Sequence, residues 1–368
     1  MTIGIVGSGR MGQDLFYSLI GCDCNVILVS RKMEQIQKIT KKTQKILNRI
    51  PRFTGKETPM ITDRLSDLAV CDVIIETVTE DLKVKQELFK KLEEIAKETC
   101  IFATNSSSLD VTDVFDGVKA KERCVGLHFF YPSKVISTAE VNAGPDTGEE
   151  TVKKMVTFLA MTGRKPLVLR GQSRLVLSKL LISLAAFTYK LSLDGELTLK
   201  DLDRITGKVL VFGIFEMVDS TGFLIISQCL ANLPDKRHVS LYQPLLAQIT
   251  DLMKQGKDGR GGGGLLSLED PVQRGLDFLE NREAWEKAYR IKLIAFLLNE
   301  ILRYMEDPLL DKNQFKESVE EVLGLSASLN VLYEELPKAA ILKTMMEEYE
   351  KTRDPLFLPA DFCMYRYT

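Results

Sequence analysis

The chain has 368 residues, 45% of them hydrophobic and 27% charged; this implies two or three domains and excludes a disordered tail or a collagen-like fibre. Lys and Arg number 49 against 51 Asp and Glu, a net charge of −2, so nothing global points to nucleic acid and any anion binding is local. There is no apolar run of about 18 residues, no basic segment ahead of an apolar stretch at the N-terminus, and no metal-ligand spacing among the seven cysteines. The expectation is a cytoplasmic protein with free thiols, no membrane span and no metal.

Residues 3–6 read as a short strand. Gly7-Ser8-Gly9-Arg10-Met11-Gly12 follows, then a helical stretch over 13–20 and a second apolar run over 25–29. Strand, G-x-G-x-x-G, helix, strand is the opening of a Rossmann-type dinucleotide fold. Gly7 permits the tight turn, Gly9 lets backbone approach a pyrophosphate, and Gly12 lets the helix pack against the strand. The helix N-terminus then faces the phosphates. The second strand ends Leu28-Val29-Ser30-Arg31-Lys32. A carboxylate there would bind the ribose hydroxyls of NAD; a hydroxyl and two cations suit a 2′-phosphate instead. NAD or NADP is therefore expected, with NADP slightly favoured. A basic helix over 33–49 carries Lys38, Lys41, Lys42 and Lys45. Such a run usually marks a solvated face.

Residues 71–77 read as a buried strand, 86–97 as a helix and 101–104 as a further strand. Three motifs surround them: Glu76 to Lys85, then Asn105-Ser106-Ser107-Ser108-Leu109, then Gly126-Leu127-His128-Phe129-Phe130-Tyr131-Pro132, with Ala139-Glu140-Val141 beyond. In this order and spacing they resemble the 3-hydroxyacyl-CoA dehydrogenase family. That family carries G-x-G-x-M-G, E-x-x-x-E-x-L-x-x-K, S-N-T-S-S-L, G-L-H-F-F-N-P and V-E-V. The resemblance implies His128 as catalytic base, Glu140 as its partner and Ser107 as a substrate contact. It also places Glu80 and Lys85 near the nicotinamide ribose, with Met11 and Asn105 at the cofactor, and Lys38, Lys41 and Lys45 at the nucleotide of CoA. The residue types agree independently. A neutral imidazole can take a proton from a secondary alcohol as hydride leaves, and a carboxylate on its other nitrogen sets the tautomer. The other histidine, His238, lies in a polar stretch and reads as a surface residue.

The chain also departs from the family pattern. Ser106 stands for threonine, Tyr131 for asparagine, and Ser178 for an active-site asparagine, which makes Ser178 a further catalytic candidate. These changes keep two alternatives open: a dehydrogenase for a hydroxyacyl group on an acyl carrier protein in secondary metabolism, and a degenerate paralogue that only binds nucleotide or acyl thioester.

From residue 171 onward the pattern is helical. Residues 179–193 read as amphipathic and Thr198 as an N-cap. Residues 256–264 read as a flexible glycine-rich connector, and Asp219 matches an aspartate retained in the family. Residues 291–300 echo 179–187, and 322–324 echo 208–210, about 113 residues apart in our register. The expected organisation is an α/β Rossmann-type NAD(P)-binding domain over 1–171, an all-α C-terminal domain over 172–275, and a second, degenerate copy over 276–368. This arrangement resembles the tandem C-terminal domain form of the family, the dehydrogenase part of multifunctional fatty-oxidation enzymes; single-copy relatives dimerise through that domain, so the resemblance implies that two copies could pair within one chain as a monomer.

Overall fold

The computed structural model describes residues 1–49, 58–171, 175–194, 196–233, 237–261, 263–268 and 281–360. The chain divides into two compact units, Met1–Leu175 and Val176–Thr368. The expected boundary at 171/172 abuts residues 172–174, and that at 275/276 falls within 269–280; both segments lie outside the described residues.

The first unit is built on one eight-stranded sheet in the order β3-β2-β1-β4-β5-β6-β7-β8. The strands are β1 Thr2–Val6, β2 Asn25–Val29, β3 Met60–Thr62, β4 Val73–Glu76, β5 Ile101–Thr104, β6 Cys124–Phe129, β7 Thr138–Ala143 and β8 Lys165–Arg170. All neighbours are parallel except β6 and β7. Short apolar runs suit strands buried on both faces. Helices α1 (Arg10–Leu19) and α5 (Glu149–Met161) cover one face with Leu15, Phe16, Met155 and Phe158. Helices α3 (Leu82–Ile95) and α4 (Val111–Val114) cover the other with Phe89, Leu92, Val111 and Val114. Helix α2 (Met33–Leu47) follows β2. Asp81 caps α3 by accepting from the Val84 amide at 3.0 Å.

Period-two alternation puts one row of side chains on the face under α3 and α4. In register across the sheet, that row runs Val29, Val6, Glu76, Thr104, Gly126, Asn142, Leu169. His128 and Glu140 form the next rung towards the C-terminal ends of β1 to β6.

The second unit is helical: α6 Leu177–Leu193, α7 Leu199–Thr206, α8 Ile214–Thr221, α9 Phe223–Asn232, α10 Val239–Lys254, α11 Arg282–Met305, α12 Lys312–Leu323, α13 Leu329–Glu335 and α14 Lys338–Thr352. Thr198 caps α7 in a reciprocal box with Asp201, as its hydroxyl predicts. Helix α6 is not one-sided as its pattern suggested. It is buried nearly all round, because α11 and α10 both pack on it: Phe187 stacks on Phe296 at 4.3 Å, and Ser183 meets the Tyr242 hydroxyl at 2.7 Å.

The two echoing segments meet each other. Leu210 and Leu325 form an antiparallel bridge; the Val211 amide donates to the Gly324 carbonyl at 2.7 Å, and the Ser326 amide to that of Val209 at 2.9 Å. The glycine-rich connector is tied down over its described part. Asp219 accepts from the amides of Leu265 and Leu266 at 2.8 and 3.2 Å, and a side chain on Gly264 would collide with its carboxylate. Asp219 thus holds this loop in place.

His238 is the clearest correction. It is fully buried, and its Nε2 lies 2.8 Å from Glu300 Oε2 on α11. Its neighbours in sequence are polar, but the ring turns inward to a carboxylate 62 residues away. Burying an imidazole requires such a partner. Of the cysteines, the six described ones form no disulfide. Among the described residues no single helix is long and apolar enough to cross a membrane.

Glu286 joins α11 to the end of α7. It is 2.7 Å from Arg204 and 2.6 Å from Lys208. The Lys208 hydrogen bond, then that of Arg204, holds its carboxyl at about 2 against an ordinary 4.5. A depressed folded value means the contribution is present above the unfolded value and lost as pH falls from 4.5 towards 2. Glu286→Gln should therefore lower unfolding free energy near neutrality by about 0.5–1 kcal/mol, as near-surface pairs do. In urea titrations the difference from the parent should shrink steadily through that acid window.

Candidate active site

Gly7 closes the turn after β1 with φ +116°, a conformation that favours glycine. A Cβ on Gly12 would overlap the Gly7 carbonyl oxygen, so α1 lies hard against the turn. A Cβ on Gly9 would meet nothing within 4 Å. Gly9 is also the N-cap of α1 and offers no side chain to its first amides. Those amides face an open, glycine-lined approach, which fits the pyrophosphate of a dinucleotide. Met11 packs against the core on the α1 side. At the end of β2, Ser30 is buried and its hydroxyl lies 2.6 Å from that of Ser8; Arg31 and Lys32 are exposed. Lys38, Lys41 and Lys45 are exposed on α2, with Lys38 paired to Glu34 at 2.6 Å.

A buried charge network stands beside this turn. Lys85, 1% exposed, lies 2.7 Å from Glu76 and 3.1 Å from Glu80. Glu76 also accepts from the Thr104 hydroxyl at 2.8 Å and the Val78 amide at 2.6 Å. The Glu80 Oε1 atom accepts from the Ser106 hydroxyl at 2.5 Å, from the amides of Ser107 and Ser108 at 3.0 Å, and from the Ser108 hydroxyl at 3.0 Å. Burial raises the Glu76 carboxyl above its usual range, against the pull of Lys85. Burial also pushes Glu80 upwards, but the Lys85 charge and the serine donors outweigh it and hold its carboxyl low. Lys85 and Glu80 therefore fix the serine loop that carries Ser107. Glu76 and Thr104, which motif reading left without a role, complete the network; their signal was a charged and a hydroxyl residue ending two apolar strands.

His128 and Glu140 face each other across the β6–β7 pair. Nδ1 of His128 is 3.1 Å from Glu140 Oε2, and the two residues are 6% and 0% exposed. A carboxylate only accepts, so Nδ1 carries the proton and Nε2 keeps its lone pair. The Phe130 ring stands edge-on to the imidazole at 4.6 Å. Asn105 ties this strand to the serine loop: its Oδ1 accepts from the Phe129 amide at 2.9 Å, and its own amide donates to the Glu76 carbonyl at 2.9 Å. Tyr131 stacks with Arg10 of the glycine turn at 3.9 Å. The first unit thus brings the glycine turn, the serine loop and the His–Glu pair to one end of one sheet. Ser178 belongs to the second unit, where it is buried as the second residue of α6. Among the described residues no group of three or more His, Cys, Asp and Glu side chains could hold a metal ion.

A dinucleotide turn and a carboxylate-paired imidazole on the same sheet fit a nicotinamide-dependent oxidoreductase. Comparison with known proteins carries this further. Residues 2–172 match the family model described as 3-hydroxyacyl-CoA dehydrogenase, NAD binding domain. Human mitochondrial hydroxyacyl-coenzyme A dehydrogenase is 28% identical over 237 residues, covering 60% of this chain and 76% of that protein. The structure of Escherichia coli 3-hydroxybutyryl-CoA dehydrogenase superposes with a TM-score of 0.79 at 17% identity, over 98% of this chain and 97% of that one. The dehydrogenase part of multifunctional enzyme 1 from Caenorhabditis elegans gives a TM-score of 0.60 at 20% identity, over 98% and 88%. At such identities the two structures speak for the fold. Over residues 2–172 the chain is thus similar to the NAD-binding domain of the 3-hydroxyacyl-CoA dehydrogenase family.

Proposed function

We propose that the chain interconverts a 3-hydroxyacyl-CoA and its 3-oxoacyl form, with His128 as base, Glu140 as its orienting partner and Ser107 as the substrate contact. The observation that carries this is the His128–Glu140 pair, in register and buried, within the segment that matches the family. When bound, the nicotinamide takes up or gives the hydride. The glycine turn and the α1 N-terminus hold the dinucleotide phosphates. His128 Nε2 takes the hydroxyl proton, and Glu140 stabilises the imidazolium that results. The exposed lysines of α2 suit the phosphates of CoA, and similarity to hydroxyacyl-coenzyme A and 3-hydroxybutyryl-CoA dehydrogenases favours CoA over a carrier protein. Mixing enzyme, reduced cofactor and acetoacetyl-CoA should give a steady loss of nicotinamide absorbance. Tight binding of both ligands with no turnover would instead make the chain a binding protein.

For the cofactor we propose NADP over NAD. The end of β2 offers Ser30 with Arg31 and Lys32 and no carboxylate. One or two charge-assisted bonds to a 2′-phosphate favour NADPH by about tenfold. Fluorescence titration at physiological salt checks this, and equal dissociation constants for NADH and NADPH reject it. Ser30→Asp with Arg31→Gln should reverse the preference.

A further inference from the structure

Asn142 is a buried polar residue without an assigned role. It lies on β7, two residues beyond Glu140 and on the same face, and is 1% exposed. Directly opposite it on β6 is Gly126, two residues before His128. Asn142 is thus the same-strand neighbour of Glu140 and the diagonal neighbour of His128. Among the described residues, neither its amide nitrogen nor its amide oxygen has a hydrogen-bond partner. Leaving such a group unpaired costs folding free energy, so an apolar residue would serve a purely structural position better. The next residues on this face, Cys124 and Gly144, line a shallow surface pocket together with Val111 and Thr147. Water at this pocket therefore comes within one residue of Asn142, whose amide offers a buried water both a donor and an acceptor.

We infer that Asn142 is a positioning residue for the catalytic pair: it holds one water that donates to Glu140, keeping that carboxylate aimed at Nδ1 as His128 gains and loses its proton. The inference rests on the proposed roles of His128 and Glu140. It requires Asn142 to act on turnover and not on binding, because its side chain is buried behind the catalytic pair.

The test is Asn142→Leu, which keeps the shape and removes the polar atoms, beside Asn142→Thr, which restores a hydroxyl on a strand-compatible side chain. The expected result is a higher melting temperature for the leucine variant, with kcat lowered about tenfold, the worth of one hydrogen bond, and KM for acetoacetyl-CoA within about twofold. The threonine variant should recover most of kcat. Wild-type kcat in Asn142→Leu overturns the inference. So does equal loss of kcat in both variants accompanied by lower melting temperatures, which would mean damaged packing. Full activity in His128→Ala would remove the underlying reading instead, so the two failures are distinguishable.

Discussion

His128→Ala lowers kcat by about 10²–10⁴-fold while leaving the affinity for the reduced cofactor unchanged, because a positioned general base is worth that much and the glycine turn is built without it. Glu140→Gln should cost about 100-fold or more, since a neutral amide no longer stabilises the imidazolium or fixes one tautomer. The geometry makes the two losses strongly non-additive. Glu140 is fully buried and sits opposite His128 in register, so in this reading it acts through the imidazole. Stopped-flow turnover with acetoacetyl-CoA, alongside cofactor titration by fluorescence, measures both quantities. Near-normal turnover in His128→Ala would remove the base from the mechanism.

Lys85→Met destabilises the first unit by about 3–5 kcal/mol, the cost of stranding buried charge. Glu76 and Lys85 are 0% and 1% exposed, and Glu80 is held low by the Lys85 charge and by serine donors. Without the ammonium, two carboxylates share one buried site. Adding Glu76→Gln should restore a large part of the stability, since one of the stranded charges goes with it. Denaturant unfolding of the single and double variants reads this directly. A double variant no more stable than Lys85→Met would mean that the lysine acts by packing alone. The double variant should still turn over slowly, because Glu80 keeps its serine donors but loses its ion-pair partner.

The first unit was legible because its signals are local. Gly7, Gly9 and Gly12 stand between two short apolar runs, and each does what its spacing implies: a turn with positive φ, an open approach, and a close helix contact. His128 and Glu140 were findable twelve residues apart, since strands that turn back on each other place such residues face to face. The sequence hid contacts between distant segments. His238 looked exposed because its neighbours are polar; its partner Glu300 comes from another helix. Lys85 matched a cofactor motif, yet its ammonium is spent on Glu76 and Glu80 inside the fold. Helix α6 seemed one-sided until α10 and α11 closed over it. The bridge between Leu210 and Leu325 joins the two stretches that echo each other in sequence, a contact 115 residues apart that no local pattern announces.

One measurement bears most directly on the central claim. Enzyme is mixed with acetoacetyl-CoA and reduced cofactor carrying deuterium on the transferable position of the nicotinamide, and the thioester product is analysed by mass spectrometry and NMR. The account predicts 3-hydroxybutyryl-CoA with the deuterium on C3, formed by the wild type and nearly absent with His128→Ala. Recovery of acetoacetyl-CoA unchanged, or of a hydroxyacyl product without deuterium at C3, would contradict it.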